Sequence, residues 1–361
     1  MDLIEIAKYF KVDGRVESVK SVGEGFINDT YFVKVSSAVP GYILQRKNSN
    51  VFKNIPEMMS NIDRVTAHIS RKVKEAGGNP LFEVLHVVPT KSGELCYKDE
   101  SGNYWAMSRL IPDVMAIDRV SDAGIARKGG IGIGRFQRQL ADFHEELHDT
   151  LPGFHDMRFR FEQWDESLSR DAAGRKDAVK EEIEWIESRK ERMMELKRKI
   201  EDGSIPMRVA HNDTKINNIL FDKKGDVLCV IDLDTVMRAP VLYDFGDAIR
   251  SYANTGKEDD SNLDNVEISL DIFRGFAEGY LSQCREALTD AEIDNLAFSA
   301  LYITFEQVLR FLMDYIDGDT YYKTRYPAHN LVRARAQYKL LRSMEEHYEE
   351  MQSIIRSITA E

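Results

Sequence analysis

Residues 210–220, Ala-His-Asn-Asp-Thr-Lys-Ile-Asn-Asn-Ile-Leu, constrain this chain more than any other stretch, together with Val-Ile-Asp-Leu-Asp-Thr at 230–235. The first segment reads as a loop carrying an H-x-D-x-x-x-x-N array made of His211, Asp213 and Asn218. Asn-Ile-Leu-Phe (218–221) and Val-Leu-Cys-Val-Ile (227–231) read as two short apolar strands, joined by the turn Asp222-Lys223-Lys224-Gly225-Asp226. The second strand runs out onto carboxylates. A loop and a hairpin thus deliver a carboxylate, an amide and a second carboxylate to one place.

That set of groups suits phosphoryl transfer, in which positioning and charge neutralisation do most of the catalytic work. Asp213 is the candidate catalytic base for an acceptor hydroxyl. Asn218 and Asp232 are the candidate ligands of a magnesium ion held against ATP phosphates. A lone H-x-D is commonplace. The complete array, followed at this distance by an apolar strand ending in Asp, is hard to reach by chance.

Upstream, residues 16–35 read as strand, glycine turn, strand, after a short amphipathic helix over 2–10. Gly23 and Gly25 permit a close backbone approach to a phosphate, although two glycines between strands also make an ordinary hairpin. Asn28 and Thr30, on the outgoing arm of that hairpin, are further candidate nucleotide contacts. The next strand, 41–48, should supply a cation for the phosphates, yet Gln45 falls where a protein-kinase lysine would stand. Arg46 and Lys47 follow it on opposite faces, and the strand pattern alone leaves the choice between them open. A helix over Pro56–Lys74 places Met58, Ile62, Val65 and Ile69 on one face, and either Glu57 or Asp63 is placed to pair with the strand cation. Strand-like runs at 84–88, 94–98 and 104–111 complete an antiparallel sheet. Its exit, Arg109-Leu110-Ile111-Pro112, is the natural hinge where an adenine edge would meet backbone groups.

Beyond Pro112 the pattern turns helical. Helices are expected over 131–150, 181–200, 263–285, 289–314 and from 330 onward. His144 and His148 lack the spacing context of a metal site. Asp244 is expected to cap the helix that Pro240 opens and to tie backbone N–H groups behind the site. The triplet Asp244-Phe245-Gly246 mimics a kinase metal-binding motif but follows no strand, so Asp232 keeps the metal role. Arg310 lies among Val308, Leu309, Phe311 and Leu312, and its burial would require an anion, a carboxylate or a sugar hydroxyl as partner.

Bulk properties exclude several classes. A formal net charge of −12 argues against a general nucleic-acid binder or an acidic-membrane binder. Three cysteines, Cys96, Cys229 and Cys284, show neither metal nor disulfide spacing, and Cys229 reads as a small buried residue. Acidic residues near the amino terminus and the lack of an apolar run of spanning length lead to the expectation of a reduced, cytoplasmic setting.

The same residues resemble the aminoglycoside phosphotransferase and choline kinase-like superfamily, and within it the bacterial N-acetylhexosamine 1-kinases. The similarity runs nearly end to end. It includes Gly-Phe-Ile-Asn-Asp-Thr-Tyr (25–31), Tyr-Ile-Leu-Gln (42–45), Arg-Val-Ala-His-Asn-Asp-Thr-Lys-Ile-Asn-Asn-Ile-Leu (208–220), Ile-Asp-Leu-Asp-Thr-Val-Met (231–237), Asp-Phe-Gly-Asp (244–247) and Tyr-Pro-Ala-His-Asn-Leu-Val-Arg (326–333). Phe26 departs from the histidine expected there. The resemblance implies an α+β, two-lobed protein kinase-like fold. An antiparallel N-lobe with one helix (1–111) would bind nucleotide, and a larger helical C-lobe (112–361) would carry catalysis and sugar binding. It also implies ATP and Mg2+ as cofactors, Asp213 as base, Asn218 and Asp232 as metal ligands, and Thr235 and Arg310 as contacts to an N-acetylhexosamine phosphorylated at its anomeric hydroxyl. Kinases of an aminoglycoside, choline, ethanolamine or homoserine are the alternative. A non-catalytic nucleotide-binding protein, suggested by Gln45, is opposed by the intact Asp213, Asn218 and Asp232.

Overall fold

The computed structural model describes residues 2–22 and 27–360. The expected glycine contacts Gly23 and Gly25 lie outside the described residues. By compactness the chain divides into one unit of residues 1–117, 136–152 and 218–238, and a second of 118–135, 153–217 and 239–361.

The first unit is built on a five-stranded antiparallel sheet of order β1-β2-β3-β5-β4. Its strands are β1 (Val16–Ser21), β2 (Asp29–Val35), β3 (Tyr42–Lys47), β4 (Tyr97–Lys98) and β5 (Tyr104–Arg109). The two-residue alternation of the pleat sends Val33, Val35, Tyr42 and Leu44 into a core shared with Ile6, Phe10, Trp105 and Met107. On β3 the other face carries Ile43, Gln45 and Lys47, and the register sets Thr30, Gln45 and Ala106 side by side across three strands. The segment 84–88, expected as a strand, makes only an isolated bridge between Val87 and Ser108. It follows a helical turn, Pro80–Glu83.

The helix Ile55–Glu75 starts where Asn54 accepts a hydrogen bond from the Glu57 N–H and Pro56 occupies the first turn. Met58, Ile62, Val65 and Ile69 are buried, as their spacing requires. Also in this unit, β6 (Val114–Ala116) pairs with β8 (Ile219–Asp222), which pairs with β9 (Val227–Val230); β7 (Arg208–Ala210) belongs to the second unit. The β8–β9 turn closes on Asp222, whose side chain accepts from the Lys224 and Asp226 N–H groups, with Gly225 at φ 80°. Cys229 is buried, and that burial pushes its thiol up to about 12.

The second unit is mainly helical around Leu296–Ile316, whose side chains are buried on nearly every side. That helix is long and apolar enough to cross a membrane, contrary to the expectation from sequence, and 89% of its apolar window is buried inside the protein. The expected helix over 131–150 instead runs Ala123–Gln139. Its glycines account for the earlier start. Gly130 lies against the Phe276 carbonyl and Gly134 against that of Tyr280, while Gly275 and Gly279 of the helix Leu270–Cys284 meet the carbonyls of Ala123 and Arg127. A Cβ at Gly130 would sit 2.2 Å from the Phe276 oxygen. Two helix backbones touch there, and that close packing overrides the poor helix propensity of glycine. The expected helix 181–200 is two helices, Lys180–Glu187 and Lys190–Glu201.

Candidate active site

The first unit contains a cavity of about 330 Å³ whose wall changes character from one part to another. Ile43, Met59, Leu85, Val87, Leu220 and Ile231 give it apolar sides, while Thr30, Gln45, Lys47, Asn218, Asp232 and Asp234 bring polar groups into it. An apolar slot with a few convergent polar groups is the usual form of a site for a flat, charged-tailed ligand. Arg109, Leu110 and Ile111 of the strand exit line the same cavity.

On β3 it is Lys47, and not Arg46, that lines the cavity. Arg46 faces solvent, where its Nε donates to Asp29 at 2.7 Å. Lys47 turns inward, and its Nζ donates to both Asp234 oxygens at 2.7 and 2.9 Å and to Gln45 Oε1 at 2.7 Å. Lys47 and Asp234 are 3% and 7% exposed at their side chains. The expected helix partner is corrected by this pair. Glu57 lies 3.9 Å from His148, and the lysine is held by a carboxylate two residues beyond Asp232. Asn28 donates to Asp234 at 2.8 Å and accepts from the Asn48 N–H, so it reaches the cavity only by steadying that carboxylate. Thr30 accepts from Gln45 Nε2 at 3.4 Å.

Asp232 stands at φ 61°, ψ 55°, left-handed backbone that a non-glycine residue adopts at a cost. The 3-10 turn Leu233–Thr235 follows it and carries Asp234 to the cavity. Asn218 and Asp232 on the cavity wall are hard oxygen donors of the kind magnesium takes. Among the described residues no three His, Cys, Asp or Glu side chains group as a metal cage.

In the second unit, the loop after β7 carries Asp213. Its backbone N–H groups are fastened from His211 to Thr214, that of Asp213 by His211 Nδ1. Asp244 accepts from the His211 and Asn212 N–H groups at 2.9 and 2.7 Å, and its own carbonyl accepts from the Thr214 hydroxyl. Asp247 accepts from the Thr214 N–H at 2.8 Å. Asp244 therefore ties the loop as expected but does not cap its helix, Val241–Tyr252, which has Pro240 at the N-cap and no side-chain cap. Lys215 Nζ donates to Asp213 Oδ2 at 2.7 Å, and both side chains are about a third exposed. Thr235 lies in the first unit and Arg310 in the second.

Arg310 has the carboxylate its burial calls for. Its Nη1 lies 3.7 Å from Glu306 Oε1, and its guanidinium stands 5.6–5.8 Å from the rings of Phe154, Tyr321 and Tyr322. Burial would lower its pKa, but those tyrosines and Glu306 hold it above the ordinary arginine value.

The model of the phosphotransferase enzyme family matches residues 18–267, well over half of the chain. This chain belongs to that family. A microcompartment-associated aminopropanol kinase shares its fold at TM-score 0.65 and 15% identity, over 97% of each chain. A spectinomycin phosphotransferase, solved with ADP and spectinomycin, does so at 0.55 and 15%, over 96% of this chain and 97% of its own. A choline/ethanolamine kinase family protein from Mesorhizobium loti gives 0.53 and 14%, over 98% of each. The fold class is thus the two-lobed α+β, kinase-like one, with an antiparallel N-terminal sheet and a helical C-terminal region.

From the sequence, Lys47 stays undecided against Arg46, and Asp234 and Glu306 are not singled out. The signal for Lys47 was present, because residues two apart on a strand share a face and Gln45 already marked the phosphate side. Glu306, four residues before Arg310, was likewise legible as its helical neighbour.

Proposed function

We propose that this small-molecule kinase transfers the γ-phosphoryl group of ATP, with magnesium, to the anomeric hydroxyl of an N-acetylhexosamine. The observation that carries the acceptor class is Arg310, a largely buried cation among three aromatic rings whose ion-paired carboxylate, Glu306, also serves His155 and Arg160. The excess of basic groups over that one carboxylate disfavours an ammonium-bearing acceptor and suits hydroxyls and an acetamide carbonyl.

On this reading the apolar slot takes the adenine, and Lys47 meets the α- and β-phosphates in place of a lysine at position 45. Magnesium, when bound, would neutralise phosphate charge, with Asn218 and Asp232 as its protein ligands. Asp213 accepts the proton of the attacking hydroxyl, and Lys215 beside it keeps that carboxylate oriented. An anomeric hydroxyl is more acidic than an ordinary alcohol, so in-line positioning carries more of the rate than proton removal. Thr235 and Arg310 would contact the sugar.

The second reading, a kinase of an amino alcohol or an aminoglycoside, draws on what the fold relatives are named for. A coupled assay of ATP consumption separates the two. The panel is N-acetylglucosamine, N-acetylgalactosamine, glucosamine, galactose, aminopropanol, choline, homoserine and spectinomycin. Turnover led by an acetamido sugar supports the first reading, and turnover led by an amine-bearing acceptor replaces it.

A further inference from the structure

Glu306 is a fully buried carboxylate that three basic side chains meet among the described residues. His155 Nδ1 meets its Oε2, Arg160 Nε donates to its Oε1 at 3.0 Å, and Arg310 Nη1 lies 3.7 Å from the same oxygen. Burial alone would push the Glu306 carboxyl up; His155, then Arg160 and Arg310, hold it well below the usual carboxylate range. Two guanidinium groups, which stay charged, converge on its Oε1, so Glu306 is an anion and can only accept.

The other ring nitrogen of His155, Nε2, faces the Asn212 carbonyl oxygen at 3.2 Å. A carbonyl also only accepts. Both ring nitrogens must then donate, which makes His155 an imidazolium clamped between a carboxylate and the backbone of the residue preceding Asp213. The clamp is rigid on both sides. His155 itself is 4% exposed and sits at φ 61°, its carbonyl accepts from the Tyr302 hydroxyl at 2.9 Å, and Asn212 is at φ 65°. Two left-handed non-glycine residues facing each other across one hydrogen bond show a backbone held in place by its surroundings.

We propose that His155 and Glu306 are positioning residues that link the acceptor pocket to catalysis. Glu306 holds the acceptor-facing Arg310 with one oxygen. With the other it holds the imidazolium that sets the Asn212 carbonyl, and so the loop bearing Asp213. The link rests on the kinase reading above for its consequence in turnover, but the ionic chain itself does not depend on which acceptor is used.

The test has two arms on the full chain. In the first, ¹⁵N NMR of the resting protein reads the His155 ring: two protonated nitrogens are expected, and a ring with one unprotonated nitrogen overturns the proposal. In the second, kcat and KM are measured for His155→Gln, Glu306→Gln and the double variant with whichever acceptor the wild type turns over, alongside thermal unfolding. His155→Gln should lower kcat about 10²-fold, the usual consequence of a misplacement near 1 Å, with the KM for ATP unchanged. Glu306→Gln should lower kcat and also raise the acceptor KM. Because the two act as one chain, the double variant should cost no more than Glu306→Gln alone. Additive losses, or a lowered Tm with kcat intact, overturn it. If His155→Gln does not fold, the near-isosteric Glu306→Gln carries the kinetic arm. A wild type whose ATP consumption no acceptor of the panel raises refutes the kinase reading, and the NMR arm still decides the imidazolium link.

Discussion

Asp232 and Asp213 are both carboxylates on irregular backbone, and their roles separate under different substitutions. Asparagine tolerates left-handed backbone better than other non-glycine residues, so Asp232→Asn keeps the φ 61° geometry while removing the charge. Its Tm should stay within a degree or two, while kcat/KM for magnesium-ATP falls at least about 10²-fold, as steady-state kinetics and thermal unfolding together would show. If Asp213 is the base, as proposed, Asp213→Asn should lower kcat by about 10²–10⁴ with the acceptor KM little changed, because it removes a proton acceptor without altering the binding surface. Lys47→Met, which fits the buried space and deletes the cation, should raise the KM for ATP at least about tenfold. It should also leave Asp234 as a buried carboxylate without its lysine partner, so Tm falls as well. An unchanged ATP KM in that variant would remove Lys47 from the phosphate site. Sequence left Arg46 and Lys47 undecided because alternation says only that they point apart. Which face meets the cavity was set by the register of β2, β3 and β5.

At the scale of elements, the helix Ile55–Glu75 and the β8–β9 hairpin were legible, because an Asn-Ile-Pro start, a clean apolar stripe and an Asp-Lys-Lys-Gly-Asp turn each carry a local physical signal. The helix Ala123–Gln139 was not. Its glycines argue against a helix locally and become favourable only when a second helix backbone arrives to touch them. Gly130→Ala tests this directly. A Cβ 2.2 Å from the Phe276 carbonyl oxygen forces the helices apart, at about 1–3 kcal/mol by the usual cost of overpacking. Thermal unfolding should show the loss; a Tm equal to or above wild type would mean that propensity, and not contact, governs this position. The segment 84–88 failed for the opposite reason: its apolar residues suit a strand, but it finds only one bridge, at Val87.

For the whole molecule, buried ionic groups set the acid limb of stability. Glu306 and Asp247 are both held below their ordinary values of 4.5 and 3.8. For each, burial acts upward, and the neighbouring cations outweigh it: His155, Arg160 and Arg310 at Glu306, and Arg250 with His155 at Asp247. A depressed folded value contributes stability that is fully present above the unfolded value and is lost as pH falls toward the folded one. Unfolding free energy should therefore drop steeply below about pH 4.5, and Glu306→Gln should be less stable at neutral pH with a shallower acid limb. Denaturant titrations across pH would measure both. Ligand linkage provides a second global check. Magnesium-ATP at about a hundred times its Kd should add about 2.7 kcal/mol to unfolding, and a chelator in excess over magnesium should abolish turnover.

The residues from 210 to 235 pointed to the family by themselves: a candidate base, an amide and a strand-end carboxylate at fixed spacing are properties of the chain, and they read as phosphoryl transfer before any coordinate is known. Local periodicity and turn chemistry likewise determined the antiparallel sheet, its long helix and the helical remainder, because those signals act over a few residues. Tertiary structure decided what depends on distant partners. It placed Lys47 on Asp234, 187 positions away, set Glu306 beside His155 across 151, and let two glycine-bearing helices close on one another. Burial makes the difference. A charge in the interior must find its counter-charge wherever the fold brings one, and sequence spacing does not record that meeting.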